Sequence, residues 1–142
     1  AGTASESDAK PTKKVATTRP PKLTGEQATA YCRTATDVKA TLTELRSKRQ
    51  QLGSRTPADL YNQEIAAGKK LADASPSQLH HDFDVIADYL ALFVQLASTK
   101  DSKKLAVISA KMGADDTLSA YLDATIHIEG FVRRTCGFPV GI

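Results

Sequence analysis

The chain has 142 residues, a length that fits one domain large enough to bury a single core without a structural metal. It contains no tryptophan, four phenylalanines and four tyrosines, a composition that favours helices over a β-sandwich or β-barrel. The net charge of +3 does not indicate a nucleic-acid-binding domain, because residues 1–23 carry five basic and two acidic side chains and the remainder carries equal numbers of both.

Residues 1–23 are rich in Ser, Thr, Lys and Pro, and Val15 is their only large aliphatic side chain before Leu23. Such a segment buries too little apolar surface to offset the entropy that is lost on ordering. We therefore predict a disordered N-terminal tether over residues 1–23 and a folded domain over residues 24–142. A frayed or engineered terminus is the alternative for the first segment.

Apolar residues at alternating three- and four-residue steps predict five helices. The first follows a capping box at Thr24–Gln27 and ends at Gly53. The second and third begin at Thr56-Pro57 and Ser75-Pro76, where a residue suited to the N-cap precedes a proline. The predicted helices span residues 25–52, 57–73, 76–98, 103–112 and 115–135. No apolar run approaches the roughly 18 residues that are needed to cross a bilayer.

The second helix contains Gly68, which costs up to about 1 kcal/mol relative to alanine in a helix interior. Either Gly68 permits a neighbouring backbone to approach closely, or it has no structural role. The third helix has the strongest apolar pattern, with Leu79, Phe83, Ile86 and Leu90 at bundle spacing. We expect the third helix to lie deepest.

The fold class predicted from these helices is all-α. Short connections and 3.5-residue spacing favour an antiparallel up-down four-helix bundle, with 103–112 as an extra short helix. Alternating helix directions place Cys32 beside Cys136, and their separation of 104 residues excludes C-x-x-C chemistry. A structural disulfide is favoured over two free thiols or a metal half-site. Such a bond persists in oxidising compartments, so we expect an exported, extracellular or cell-surface protein.

Helix direction also groups basic side chains at the pole opposite the tether. Four lie near the end of the first helix and four follow the third helix. Together they form a predicted basic pole, available to an anionic or protein partner. A solvated, lysine-rich loop is the alternative. The eight residues of the basic pole are Arg46, Lys48, Arg49, Arg55, Lys100, Lys103, Lys104 and Lys111.

Tyr31-Cys32 near the start, Val132-x-x-x-Cys136-Gly137 near the end, and the Thr-Pro and Ser-Pro helix starts between them resemble small actinobacterial secreted proteins and lipoproteins of unknown function. The resemblance spans residues 24–138. It implies a helical bundle with a disulfide between its N- and C-terminal parts, export, and in some members lipid attachment at a cysteine. That anchoring cysteine is not in this sequence, and the resemblance brings no catalytic residues.

Histidine, aspartate and tyrosine side chains provide the candidate metal or haem ligands. His80 and Asp84 share a helical face at i, i+4, a weak candidate for a divalent ion. Asp82 and Asp84 are better explained by the dipole of the helix that they begin. We expect His127 to be a partly exposed structural residue. Haem ligation by tyrosine or histidine is a further alternative.

No nucleophile elbow or other catalytic motif is present in the sequence. We therefore expect a non-enzymatic exported binding or interaction module of the cell envelope, with no cofactor. An anionic wall polymer or an envelope protein is the expected partner at the basic pole, and an N-terminal lipid anchor is compatible with that arrangement. The rival hypothesis is a small-ligand, haem or metal carrier that uses the bundle interior or the His80–Asp84 face. The oligomeric state is left open.

Overall fold

The computed structural model describes residues 19–142, which form five α-helices and two 3₁₀ turns with no β-strand among them. The predicted all-α class is confirmed. Four helices begin and end within one residue of their predicted bounds, whereas the 3₁₀ turn Ser77–Leu79 precedes the third. The helices are α1 (Gly25–Leu52), α2 (Ala58–Ala74), α3 (His80–Ser98), α4 (Ser102–Met112) and α5 (Asp115–Cys136).

Aromatic contacts show which helix ends meet. α2 packs against α1 and α3, and α3 packs against α5. The ring of Tyr61 stacks on that of Phe93 with centroids 5.2 Å apart, so the start of α2 lies beside the end of α3. Tyr89 stacks on Tyr121 at 4.4 Å, which joins α3 to the first half of α5. α4 packs mainly on α3 and α5.

The core lies where α1, α2, α3 and α5 meet. Tyr31 of α1 makes an edge-to-face contact with Phe131 of α5, with ring centroids 5.3 Å apart. α4 contributes one buried side chain, Ile108, so it lies outside this core. The largest fully buried apolar side chains are Val38, Leu71, Leu79, Ile128, Phe131, Val132 and Val140.

The hydroxyls of Thr56 and Ser75 do not cap the helices that follow them. They donate hydrogen bonds to carbonyls that precede them in the chain. Thr56 Oγ1 donates to the carbonyl of Gly53 at 2.7 Å, beyond the end of α1. Ser75 Oγ donates to the carbonyl of Leu71 at 2.7 Å, in the last turn of α2. Thr24 occupies the N-cap of α1 but makes no side-chain capping bond there. The capping roles assigned from the sequence are therefore wrong, because carbonyls near the ends of α1 and α2 accept hydrogen bonds from two of these hydroxyls.

The predicted disulfide between Cys32 and Cys136 is present, with Cα atoms 5.5 Å apart. Beside it, the last residues of the predicted tether lie against α5. Pro20 is buried and its carbonyl accepts a hydrogen bond from Arg134 Nη2 at 3.2 Å. The remainder of that prediction, residues 1–18, lies outside the described residues.

Residues after α5 fold back onto the bundle. Both carboxylate oxygens of Glu129 accept from the backbone amides of Val140, Gly141 and Ile142 at 2.8, 2.7 and 2.9 Å. The Lys39 ammonium of α1 lies over the ring of Phe138, 5.2 Å from the ring centroid. This segment thus packs against both α1 and α5.

Candidate functional site

A cavity of about 360 Å³ lies between α2 and α3 and reaches α1, α5 and the C-terminal residue. This volume is within the usual range for small-molecule sites, which are mainly apolar with a few polar groups. This cavity likewise has mainly apolar walls, with charged side chains at its two ends. Its apolar lining is Leu42, Ile65, Ala72, Phe83, Ile86, Ala87, Leu90, Tyr121 and Ile142.

Gly68 lines the middle of this cavity from α2. A Cβ atom added at Gly68 would meet no atom of residues 19–142 within 4 Å. The close backbone approach considered from the sequence is therefore not observed. Instead, the missing side chain leaves space that a larger residue would fill.

Glu64 lies at one end of the cavity and is 1% exposed. The guanidinium of Arg49 binds both of its oxygens, through Nε to Oε2 and through Nη2 to Oε1 at 3.2 Å. Arg46 Nε lies 3.6 Å from Oε1. Because a buried carboxylate requires compensating charge and hydrogen bonds, the two arginines explain how Glu64 is accommodated. Arg46 also lines the cavity.

The pKa of Arg49 reports the same interaction. Partial burial alone would lower that pKa, but the hydrogen bond and the negative charge of Glu64 outweigh burial and raise it above its ordinary value. The guanidinium carbon lies 5.3 Å from the ring centroid of Tyr61. Arg49, which interrupts the apolar pattern of α1, is therefore held charged between Glu64 and an aromatic face.

The basic pole is only partly free. Arg46 and Arg49 engage Glu64, and Lys48 Nζ lies 3.6 Å from Glu44 Oε2 on the surface of α1. Contacts of Arg49 with Tyr61 and of Tyr61 with Phe93 bring the ends of α1 and α3 to the same pole. The other five residues of the basic pole are exposed, namely Arg55, Lys100, Lys103, Lys104 and Lys111. Lys111 lies in the last turn of α4, away from the lysines of its first turn.

His80 and Asp84 are exposed and line the opposite end of the cavity with Lys69 and Asp73. His80 Nε2 lies 3.3 Å from the carbonyl oxygen of Ser75. Within residues 19–142 there is no group of three or more His, Cys, Asp or Glu side chains suited to hold a metal. His80 and Asp84, as exposed lining residues, form part of the polar rim of the cavity.

Asp82 and His127 form a contact that the sequence analysis missed. Asp82 is buried at the start of α3, and its Oδ1 lies 3.1 Å from Nδ1 of the partly exposed His127 on α5. Helix dipole alone does not explain Asp82, because the contact crosses between two helices. A cleft of about 310 Å³ adjoins the pair, and its other lining residues contribute no hydroxyl or thiol.

Comparison with family models, curated proteins and solved structures finds no match. Likewise, none of the helices in residues 19–142 combines the length and apolarity required to cross a membrane.

Sequence reasoning missed Glu64 altogether, and it singled out Gly68 without predicting that this residue lines a cavity. A signal for Glu64 was nevertheless present, since Leu60, Glu64, Ala67 and Leu71 follow the spacing of one buried helix face. A carboxylate at such a position requires a cationic partner from a facing core position, and Arg49 is the residue that breaks the pattern of α1. Pairing these two exceptions would have predicted the contact.

Proposed function

We propose that this domain binds a small, elongated and mainly apolar molecule that carries one polar end group. The observation that supports this proposal is the 360 Å³ cavity between α2 and α3, with apolar walls and charged residues at both ends. This is the small-ligand reading of the sequence, without haem or a metal.

The lining residues suggest the shape and chemistry of the ligand. From Glu64 to Asp73 the cavity follows nine residues of α2, which is about 14 Å at 1.5 Å per residue. A hydrocarbon chain suits the wall around Ile65, Ile86 and Leu90. Arg46 is partly exposed and its contact with Glu64 is long at 3.6 Å, so it retains donors for an acidic or hydroxyl end group.

The setting that we propose for this activity is the cell envelope or the exterior. The Cys32–Cys136 disulfide supports an oxidising compartment. An up-down arrangement of the four long helices is compatible with the helix ends that meet, and it would expose the cavity on one side of the bundle. N-terminal tethering or lipid anchoring remains part of the same proposal.

The binding experiment compares three probes of equal chain length: decanoate, decanol and decyltrimethylammonium. Isothermal titration calorimetry should show decanoate and decanol binding to the unmodified protein. Gly68→Leu, which fills the cavity, should weaken both at least tenfold. Arg46→Gln should weaken decanoate more than decanol.

Ala66→Leu is the matched control, because Ala66 is exposed on the same helix two residues away. Circular dichroism checks that both leucine variants remain folded. Equal affinities in Gly68→Leu and Ala66→Leu would contradict the proposal. A haem titration with a shifted Soret band that needs His80 or Tyr121 would favour the haem carrier instead.

The second candidate is binding of an anionic wall polymer or an envelope protein by the basic pole. It is favoured by the exposure of Arg55, Lys100, Lys103 and Lys104 near the joined ends of α1 and α3. Co-sedimentation with purified wall and with anionic liposomes tests it. Lys103→Glu plus Lys104→Glu should abolish wall binding, whereas Lys22→Glu plus Lys70→Glu makes the same charge change elsewhere and should not. An equal loss of wall binding in both double variants would show that binding depends on net charge alone, and it would contradict a specific role of the basic pole.

A further inference from the structure

A row of exposed apolar side chains runs along α5. Leu118, Leu122 and Ile126 are 36%, 56% and 66% exposed. They are four residues apart and therefore lie on one helix face. The opposite face of α5 is buried through Ala124, Ile128 and Phe131. Three large apolar residues in line on an exposed face are typical of a protein contact surface. We call these three residues the α5 row.

Opposite charges flank the α5 row on the same face. Asp115 lies in the first turn of α5 and Arg133 in the last, and both are exposed. Arg133 follows Asp115 by 18 positions, which is about five turns at 3.6 residues per turn, so the two side chains share a face about 27 Å apart. An acidic end, an apolar middle and a basic end follow one another along this face.

We propose that a second copy of this chain docks on the α5 row in the antiparallel direction. A register centred on the level of Ala124 sets Asp115 of one copy against the partner's Arg133. By symmetry it also sets Arg133 of the first copy against the partner's Asp115. The same register sets Leu122 against Ile126 of the partner and Leu118 against the partner's Gly130, which adds no side chain. This pairing is isologous and closes as a twofold dimer.

The face is complementary to itself, which favours a second copy over an unrelated partner. Reversing the helix about residue 124 exchanges its acidic and basic ends and also exchanges Leu122 with Ile126 in the apolar middle. Glu129 meets no like charge in this register, because it is set against the partner's Ser119, and its carboxylate is bound by the amides of residues 140–142. Residues 1–18 are a poorer match, since Val15 is their only large aliphatic side chain.

Sedimentation velocity of the full chain over a wide concentration series tests dimerisation. Because one helix face gives a small interface, we expect a concentration-dependent, reversible dimer. Leu122→Glu should abolish it. Val107→Glu is the matched control, because Val107 is 68% exposed on α4, outside the α5 row. A chain that stays monomeric at every concentration, or equal loss in both variants, would overturn the proposal.

A charge exchange tests the register. Asp115→Arg alone and Arg133→Asp alone should each weaken dimerisation, because each sets like charges against each other twice. Mixing the two variants should restore it as a heterodimer with two opposite-charge pairs. The double variant should restore the homodimer. Circular dichroism confirms that each variant is folded. A mixture as weak as its components would exclude this register and contradict the proposal.

Discussion

Gly68 shows how one missing side chain shapes the cavity of this domain. In the interior of α2, glycine is less favourable than alanine by up to about 1 kcal/mol. The residue opens on space at the cavity wall and has no positive φ that would require glycine. The backbone conformation therefore does not require glycine at position 68, although glycine destabilises the helix. We infer that Gly68 keeps the cavity open.

Gly68→Ala should therefore stabilise the fold. The added methyl group meets no atom of the described residues within 4 Å, so only helix propensity and the entropy of the unfolded chain change. We expect a gain of about 0.5–1 kcal/mol in the free energy of unfolding by urea. Ala66→Gly is the mirror control and should lose a similar amount. A destabilised Gly68→Ala would show that the space beside Gly68 is already filled.

Tyr31 contributes to the dependence of stability on pH in the alkaline range, because its pKa is raised in the folded protein. Burial chiefly raises its pKa above 10.0, the hydrogen bond with Ser75 lowers it, and the negative charge of Glu129 adds to the increase. The hydroxyl lies 3.0 Å from Ser75 Oγ. Below pH 10 Tyr31 is protonated in both states, whereas above it the unfolded chain loses the proton first, so stability falls.

Tyr31→Phe should remove this contribution. The variant loses a buried hydrogen bond, about 1 kcal/mol, at neutral pH. Its stability should then decline less than that of the unmodified protein when urea unfolding is repeated above pH 10. Tyr61→Phe is the control for another tyrosine outside the Ser75 contact. Parallel pH profiles for the unmodified protein and Tyr31→Phe would contradict the role of Tyr31.

At the scale of elements, local sequence patterns predicted most helix bounds correctly, but they did not predict the capping hydrogen bonds. Apolar spacing with Gly53 and Gly113 places the ends of α1 and α4 correctly. Thr56 and Ser75 instead bond back to the preceding helices, a choice that depends on how the chain turns between them. The Asp82–His127 contact depends likewise on the register of α3 against α5. Single-helix patterns contain neither of these facts.

The C-terminal segment is held by one carboxylate. Glu129→Ala removes the acceptor for three backbone amides and leaves Val140, which is buried, without its bond. We expect a loss of about 2 kcal/mol or more, because hydrogen bonds to charged acceptors are among the stronger ones. Hydrogen exchange at residues 140–142 should accelerate while the core of α5 remains protected.

Glu44→Ala is the control for Glu129, since Glu44 pairs with Lys48 on the surface and such pairs contribute little. Its loss should stay within about 0.5 kcal/mol. Unchanged exchange at residues 140–142 in Glu129→Ala would mean that apolar packing of Val140 alone holds the segment.

At the scale of the whole molecule, the disulfide joins the first helix to the last. The all-α class and this pairing were both predicted from the sequence, the pairing from the expectation that successive helices alternate in direction, and both are present in the structure. The cavity could not be predicted, since it is the volume that several helices fail to fill between them. That volume depends on interhelical distances and on single positions such as Gly68.

Replacing both cysteines with serine should lower the stability of the whole domain. Opening a loop of 104 residues gives the unfolded chain more conformational entropy. This lowers the free energy of unfolding by up to about 4–5 kcal/mol, less any native strain. Chemical denaturation of the Cys32→Ser plus Cys136→Ser variant measures the loss, and far-ultraviolet circular dichroism should still show helix. Unchanged stability would mean that the unfolded chain is already compact.

Occupation of the cavity is tested most directly by nuclear Overhauser effects between bound decanol and isotope-labelled protein methyl groups. We predict contacts from the decanol chain to the methyl groups of Ile65, Ile86 and Leu90, and their loss in Gly68→Leu. Contacts to Leu118, Leu122 and Ile126 on the α5 row instead would show surface adsorption and contradict an internal ligand site.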